Sequence, residues 1–454
     1  MSGATHADEL DNKQIAELSV QMFAAQGEAK NTSIEKLAAL NDKSLIPTFV
    51  LAMRWTGSDV RVARALSELT GEKITSWHEA YDWQERNPDI VPHVTYSDVK
   101  LRFLGNTDAR FLEFFKDPFG RRENMRIRLE EIVWGGALFD EIPSLDFSEM
   151  VAVDEAGYLL DEDLVFGVEI NGDVRAYPLR VMGWHEMVND VIGGVPVALA
   201  YCTLCGSGIL FETQPEGRDS PFVFGSSGLL YRSNKLMFDR DTQSLWNQYT
   251  GLPVVGPLTN SGTELEIRPI TITNWKSWRT ANPSTTVLSL NTGYRRNYDS
   301  GVTYQEYFNS PDLMFPAALN DESRVQRKDY VFGIRGFAAS KAWPLDVFND
   351  TSVINDVVGA QSIVLIGDAQ TRTVRAYERM PDEMFALIDA SAGALESEPR
   401  NSPVLAAGET SWLLTEDFLL SSDGNKRRAR LPGHISYWFA WDNYFGVKSE
   451  LYGR

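Results

Sequence analysis

The sequence predicts an α+β protein in which a helical N-terminal region precedes a β-rich domain made of two internally duplicated, pseudo-symmetric units. Apolar residues recur at helical spacing before about residue 140, whereas short apolar runs broken by Gly, Asn and Asp follow Pro143. A long internal repeat lies in this second part. With 454 residues, the chain exceeds the length at which one hydrophobic core usually stops growing, so two or three domains are expected.

The helical region is predicted to cover residues 1–143. Its segment NTSIEKLAALNDKSLIPTFVLAMRW has a helix-cap region at its start, and DVRVARALSELTG is amphipathic and ends at Gly71. Helix pairs of this type resemble a short helical-repeat layer. We interpret the layer as a structural cap, or as a platform on which a protein partner could dock.

The β-rich domain is predicted to cover residues 144–454. VFGVEINGDVRAYPL predicts a hairpin with Asn171 and Gly172 at its turn. LRVMGWHEMVNDVIGG predicts a helix that begins after Pro178 and ends at Gly193. VPVALAY and GILFE predict strands on either side of CTLCG, and FGSSG predicts a turn.

The internal repeat defines two related units, about 165–278 and 331–441. Two gapless alignments support it: residues 165–194 with 331–360, and PITITNWKSW at 269–278 with PGHISYWFAW at 432–441. A period this long indicates a duplicated subdomain and not a solenoid. The two units are therefore predicted to pack as a pseudo-symmetric pair.

Residues kept in both units are expected to serve the shared fold. Asn189 and Asp190 recur as Asn355 and Asp356, so we expect them to hydrogen-bond the helix end and the following turn. Other polar residues occur in the first unit only: His185, Glu186, Cys202 and Cys205 align with Thr351, Ser352, Asp368 and Thr371. The first unit is therefore predicted to carry a site that the second lacks.

The predicted site is a metal centre formed by Cys202, Cys205 and His185. A C-x-x-C-G turn between two strands brings both sulfurs to one side, whereas a thioredoxin-type pair begins a helix. With no second C-x-x-C, His185 is the natural third ligand, and Cys2His leaves one position open. Sulfur ligands suit one Zn or Cu ion. Glu186 could be a fourth ligand, a partner of His185, or a general base acting on bound water.

Two alternatives remain open beside a metalloenzyme of unknown reaction. The first is a thiol–disulfide oxidoreductase that uses Cys202 and Cys205 without metal. The second is a non-enzymatic copper-handling or scaffold protein. The partner is then an unidentified small-molecule substrate, a metal donor, or a protein on the helical layer.

Charge and hydropathy argue against other classes of partner. Asp and Glu outnumber Lys and Arg by 63 to 43, and the net charge of −20 disfavours nucleic acid and anionic membrane surfaces. No apolar run reaches the roughly 20 residues that span a bilayer. The start MSGATHADELDNKQ lacks the features of a signal peptide, so we expect a cytoplasmic protein or one whose leader has been removed.

WHEMVNDVIGGVPVALAYCTLCGSGILFE, GLLYRSNKLMFDRDTQSLWNQYTG and NWKSWRTANP resemble, in this order, the bacterial family catalogued as domain of unknown function 3179. The resemblance covers roughly residues 145–445, and the helical segment is similar to the N-terminal part of longer members. Members usually have Pro where this chain has Thr203, and many look exported. The resemblance implies that the Cys and His-Glu positions form a site, and it implies no particular reaction.

Overall fold

The computed structural model describes residues 10–320, 324–336, 339–388 and 403–453. The N-terminal region is helical, as predicted, and consists of α1 (Asn12–Ala24), α2 (Gly27–Ala39), α3 (Ile46–Trp55), α4 (Val60–Thr70), α5 (Trp77–Arg86) and α6 (Tyr96–Thr107). A 3-10 segment, Ala109–Phe115, follows. Among the described residues, no helix combines the length and apolarity that a bilayer crossing needs.

Local sequence explains where these helices begin and end. Asp59 accepts a hydrogen bond from a backbone N–H in the first turn of α4, and the helix ends at Gly71, whose φ is 77°. Ser76 and Glu79 form a capping box at the start of α5. The predicted end of the helix at Gly71 is therefore confirmed. Glycine suits this position because it adopts the left-handed conformation without steric cost.

The remainder of the chain is rich in strands. The first group is β1 (Ile132–Trp134), β2 (Leu145–Asp146), β3 (Met150–Ala152), β4 (Leu164–Ile170), β5 (Asp173–Pro178), β6 (Met187–Ile192), β7 (Val195–Cys202) and β8 (Ser207–Glu212), with α7 (Leu179–His185) after β5. The second group is β9 (Phe224–Tyr231), β10 (Asn234–Asp239), β11 (Leu245–Asn247), β12 (Leu252–Val255), β13 (Ile267–Arg268), β14 (Thr271–Asn274), α8 (Trp275–Ala281), β15 (Thr286–Leu288) and α9 (Gln305–Asn309). The third group is β16 (Tyr330–Arg335), β17 (Ser340–Pro344), β18 (Val353–Val358), β19 (Gln361–Asp368), β20 (Thr373–Glu378), β21 (Phe385–Leu387), β22 (Leu405–Ala407), β23 (Thr410–Leu414), β24 (Phe418–Ser421), β25 (Arg427–Leu431), β26 (His434–Tyr437), α10 (Trp438–Phe445) and β27 (Ser449–Leu451).

These strands form several sheets. Their orders are β1-β9-β10-β11-β12, β13-β8-β7-β6-β2, β14-β4-β5-β15-β3, β26-β16-β17-β27 and β18-β19-β20-β25-β24-β23-β22-β21. The order β14-β4-β5-β15 in one sheet has the same pattern as β26-β16-β17-β27 in another. In both sheets the first three strands pair antiparallel, and the fourth runs parallel to the third.

In each of these two sheets, a tryptophan ring packs directly against a glycine of the second strand. A Cβ added at Gly167 would lie 2.2 Å from the ring of Trp278, and one added at Gly333 would lie 2.0 Å from the ring of Trp441. Both rings are fully buried. Only glycine allows the helix after β14 or β26 to pack this closely on the strand.

The cores connect the parts of the chain. One apolar cluster contains Phe166 and Leu210 of the first unit with Phe332 and Ile363 of the second, so the two units share a core. Another contains residues of the N-terminal helices, both cysteines, and much of α10. The helical layer therefore packs against the β-rich region and does not project from it.

The predicted helix from Pro178 to Gly193 is only half correct. The chain is helical to His185, and then Glu186, with φ 56°, turns it into β6, which pairs with β7. Five of the six residues of β6 are buried, so pairing with β7, and not an alternating apolar pattern, makes this segment a strand. The predicted turn at FGSSG is also wrong, because these residues begin β9 and pair with β10.

Asn189 and Asp190 consequently lie on a strand and do not hydrogen-bond a helix end, contrary to the prediction. Asn189 exchanges hydrogen bonds with the backbone of Phe224, at 2.8 and 2.9 Å. Asn355 makes the same two bonds to the backbone of Phe385, both at 2.8 Å. Asn189 thus joins two neighbouring sheets, whereas Asn355 joins β18 and β21, the two outer strands of one sheet.

Candidate functional site

The site is built around the turn between β7 and β8. Cys202 ends β7 and is paired in register with Ser207 of β8. The Cys205 N–H donates to the Cys202 carbonyl at 3.2 Å, and Gly206 has a φ of 60°. The antiparallel pairing and the left-handed glycine reverse the chain within a few residues, which directs both cysteine side chains into the interior.

The two thiols lie against each other. The Sγ atoms of Cys202 and Cys205 are 2.8 Å apart, and both residues are free cysteines in the core. Cys205 donates its S–H to the Ser233 carbonyl at 3.3 Å, and Asn234 Nδ2 donates to Cys205 Sγ at 3.3 Å. Burial, followed by the hydrogen bond from Cys202, raises the pKa of the Cys205 thiol well above its ordinary value. Cys205 is therefore protonated at neutral pH.

Two buried amides support the sulfur. Asn234 Nδ2 also donates to Gln248 Oε1 at 2.7 Å, and Gln248 Nε2 donates to the Ala200 carbonyl at 3.0 Å. Neither residue was identified from the sequence. The sequence signal that could have indicated them is their position beside apolar strand residues: Asn234 begins the strand in YRSNKLMF, and Gln248 follows the strand in SLWNQ. The amides hold the sulfur environment in one geometry.

Glu186 lies beside the turn and is fully engaged. Its backbone carbonyl accepts from the Tyr201 N–H at 2.9 Å and from Lys235 Nζ at 3.1 Å. Its carboxylate accepts from the Thr203 hydroxyl at 2.9 Å and pairs with Lys235 Nζ at 3.2 Å. Lys235 and Thr203 are further residues that the sequence did not single out. Glu186 thus ties the end of α7 to Thr203, one of the two residues between the cysteines.

His185 is buried with both ring nitrogens occupied. Nδ1 lies 2.8 Å from the Pro143 carbonyl, which can only accept, so the proton is assigned to Nδ1. Nε2 must then accept from the Tyr298 hydroxyl, at 2.6 Å. Burial lowers the pKa of His185, which favours the neutral ring. The Nε2 lone pair, which a metal would need, is used by Tyr298.

The predicted residues are thus only partly brought together. Cys202, Cys205 and Glu186 surround one turn, whereas His185 is bound to Pro143 and Tyr298. Within the described ranges, no group of three or more His, Cys, Asp and Glu side chains is placed to hold a metal ion. Tetrahedral zinc would also require the two sulfurs to separate to about 3.8 Å, given Zn–S bonds of about 2.3 Å.

The equivalent turn of the second unit has different chemistry. The Asp368 carboxylate accepts from the backbone N–H of Gln370 at 2.7 Å and of Thr371 at 3.4 Å. Thr371 and Thr373 exchange a hydroxyl hydrogen bond at 2.8 Å. An aspartate that caps its own turn replaces the first thiol, and a threonine replaces the second.

Comparison with known proteins gives one match. A sequence model of a family described as Protein of unknown function (DUF3179) matches residues 139–447. No curated protein and no solved structure matches the chain. The matched range includes the turn, His185, Glu186 and both units.

Proposed function

The chain belongs to the family described as Protein of unknown function (DUF3179), and we propose that it is a dithiol protein whose Cys202–Cys205 pair cycles between two thiols and one disulfide. The observation that carries this proposal is the 2.8 Å contact between the two Sγ atoms, in a turn that holds both sulfurs on the same side. A disulfide needs the sulfurs to approach by less than about 1 Å.

The surroundings of Cys205 support a defined direction for the exchange. Cys205 is kept as a thiol by its raised pKa and by its bond to Ser233, so the attack begins at Cys202. Cys202 is also the less buried of the two residues, at 2% exposure against 0%. Burial this deep admits a small disulfide more readily than a folded protein.

The reaction balances as a thiol–disulfide exchange. Cys202 sulfur attacks one sulfur of a small disulfide, and the first small thiol leaves with a proton. Cys205 sulfur then attacks Cys202 sulfur, which releases the second small thiol with the second proton. One S–S bond breaks in the small molecule, and one S–S bond forms in the protein.

Glu186 has a positioning role in this scheme. Its carboxylate holds Thr203 and Lys235, and its carbonyl holds Tyr201, so it fixes the turn between the two thiols. Its salt bridge and hydrogen bonds leave it poorly placed to act as the general base that the sequence suggested. Glu186→Gln should therefore shift the equilibrium constant of the dithiol more than it changes the rate of any proton transfer.

The test is a redox titration of the full chain. Protein prepared with a chelator is equilibrated with mixtures of 2-mercaptoethanol and 2-hydroxyethyl disulfide, then alkylated and weighed by mass spectrometry. We expect two thiols to disappear together in a single two-electron transition. Cys202→Ser and Cys205→Ser should each abolish the intramolecular transition and leave, at most, a mixed disulfide.

A wild-type protein that keeps both thiols free at every ratio contradicts the dithiol proposal. The same measurement on urea-unfolded protein controls for access, because unfolded chains expose both sulfurs. Oxidation of the unfolded chain alone means that the native turn protects the thiols, and the proposal then fails for the folded protein.

A metal centre is the second candidate, and the convergence of two sulfurs in one turn favours it. One Zn or Cu ion would use Cys202 and Cys205 and would require His185 to exchange Tyr298 for the ion. Tyr298→Phe should then raise metal affinity by freeing Nε2, and His185→Ala should lower it, as measured by elemental analysis and competition with a chelator. Absence of stoichiometric metal in all variants contradicts this candidate.

We infer further that the two units, about 165–278 and 331–441, descend from one duplicated ancestor and follow a helical domain of residues 1–143. The matching strand pairings, the two Gly–Trp contacts and the paired roles of Asn189 and Asn355 support this origin. A duplication explains why the turns of the two units differ in chemistry while their strand pairings are alike.

A further inference from the structure

A cavity lies between the two units, directly beside the cysteine turn. Its volume is about 360 Å³, and its walls include Tyr201 and Gly206 from the first unit with Tyr330, Arg372 and Tyr437 from the second. Leu164, Leu179, Ile272 and Ile435 give it an aliphatic side. A cavity of this size, with one apolar side and a few polar groups, is typical of small-molecule sites.

Two cations in the wall have no described carboxylate partner within ion-pair distance. Lys328 Nζ donates to the backbone carbonyls of Tyr307 and Ser310 and lies over the rings of Tyr307, at 3.7 Å, and Tyr437, at 5.4 Å. Burial lowers the pKa of Lys328. The nearby Asp312 opposes this shift without reaching ion-pair distance, so the ammonium is bound directly by neutral acceptors and aromatic faces.

The guanidinium of Arg372 is held in the same way. Its Nη1 donates to the Tyr330 hydroxyl at 2.9 Å, and its Cζ lies 4.4 Å from the centre of the Tyr330 ring. Arg180, the third cation of the wall, differs because it pairs with Asp163 at 3.1 Å. The wall therefore carries two cations that form no ion pair with a described carboxylate, while the exposed carboxylates Glu162 and Asp299 lie among the lining residues.

The backbone at Arg372 is a second, independent observation. Arg372 aligns with Gly206 of the first unit, and both have left-handed backbones, with φ of 55° and 60°. A Cβ at Gly206 would come within 2.9 Å of the Tyr330 ring, so glycine is required there. A side chain as large as arginine is uncommon in the left-handed region, because its Cβ crowds the following carbonyl oxygen. Strain of this kind is retained where the side chain is needed at that place.

We propose that this cavity binds a small organic anion with an apolar body. The anionic group lies against Lys328 and Arg372, and the apolar body lies against the aliphatic side. Tyr330 and Tyr437, whose ring centroids lie 4.6 Å apart at an angle of 31°, contact Arg372 and Lys328 respectively. The proposal does not depend on the chemistry of the thiols, so it stands or falls separately from the dithiol.

The experiment compares two fluorescent probes of similar shape. 8-Anilinonaphthalene-1-sulfonate carries one negative charge, and N-phenyl-1-naphthylamine carries none. We expect the full-length protein to bind both, and expect Lys328→Gln/Arg372→Gln to weaken the sulfonate tenfold or more while the neutral probe changes less than twofold. Leu179→Trp, which fills the aliphatic side, should weaken both probes.

A matched control removes the same charge elsewhere. Lys13 and Lys36 are exposed on α1 and α2, and Lys13→Gln/Lys36→Gln should leave both affinities unchanged. Each variant must also unfold in one cooperative transition, because loosened proteins bind these probes nonspecifically. An equal loss in the control, an equal loss for the neutral probe, or no sulfonate binding by the wild type overturns the proposal.

Discussion

The turns that follow β7 and β19 occupy the same place in two units with the same strand pairings. In the first unit, Cys202 and Cys205 lie in contact and are supported by Asn234. In the second, Asp368 satisfies the backbone of its own turn, and Arg372 extends over Tyr330. The strands are constrained by their pairing and by the shared core, whereas a turn needs only a compatible backbone. Turns on the same strand pairing can therefore carry different chemistry.

The two helices that close the sheets differ in what covers them. α10 of the second unit is buried almost throughout and contacts the N-terminal layer, where Asn443 donates to Glu85 at 3.0 Å. α8 of the first unit exposes Lys276, and its Arg279 pairs at the surface with Asp161. The helical layer thus covers α10 but leaves α8 exposed, although it also packs on β9 to β12 of the first unit. Its junction with α10 contains the buried carboxylate of Glu85.

The largest effect on stability is expected at the two Gly–Trp contacts, which occur in both units. Gly167→Ala and Gly333→Ala each drive a methyl group into a buried tryptophan ring, so each should lower the free energy of unfolding by about 2–4 kcal/mol. Urea denaturation of each variant measures this. Gly157→Ala is the control, because nothing lies within 4 Å of its Cβ. A large loss in one unit alone contradicts the equivalence of the two frames.

The next effect concerns the helical layer and the second unit. Burial, together with the nearby Glu131, raises the pKa of Glu85 to about 8, and Arg232 opposes the shift. The native state therefore keeps a proton that the unfolded chain releases near pH 4.5, so stability falls as the pH rises from about 4.5 to about 8. Glu85→Gln, which removes this ionisation, should make the protein more stable near pH 8 by a few kcal/mol.

Urea unfolding between pH 5 and 9 measures the change in slope for Glu85→Gln. The exposed Glu72 provides a control, since Glu72→Gln should leave the pH dependence unaltered. An unchanged slope in the Glu85→Gln protein means that Glu85 is ionised in the native state and that the junction is more hydrated than its burial indicates.

The smallest effect on stability is expected at Asn189 and Asn355, whose amides link separate strands. Asn189→Ala removes two bonds to Phe224 and one to Asp146 from a buried position, at a cost of about 2–3 kcal/mol. Asn355→Ala removes only the two bonds to Phe385 from a partly exposed position, at a cost of about 1 kcal/mol. Thermal unfolding measures both, with the exposed Asn12→Ala as the control. A larger loss at Asn355 reverses the expected order.

Much of the architecture was predictable from local signals. The capped helices, the hairpin at Asn171 and the change of sequence pattern near Pro143 depend on neighbouring residues. The structure has α1 to α6 before Asp108 and a strand-rich region from β1 (Ile132–Trp134) onward. The helix predicted through Glu186 failed because the adjacent apolar pairs Met187-Val188 and Val191-Ile192 do not decide between helix and strand, whereas pairing with β7 does. FGSSG failed for the same reason, since pairing with β10 overrides a weak local preference.

The sequence by itself determined the helical beginning, the β-rich remainder, the family, and the turn in which two cysteines converge. Only the tertiary structure decided what surrounds those cysteines. Asn234, Gln248 and Lys235 reach the turn through sheet packing across long chain separations, and Tyr298 takes the lone pair of His185 from more than a hundred residues away. Spacing along a chain fixes which groups can meet locally, whereas long-range packing and hydrogen bonding select the partner that each group finally has.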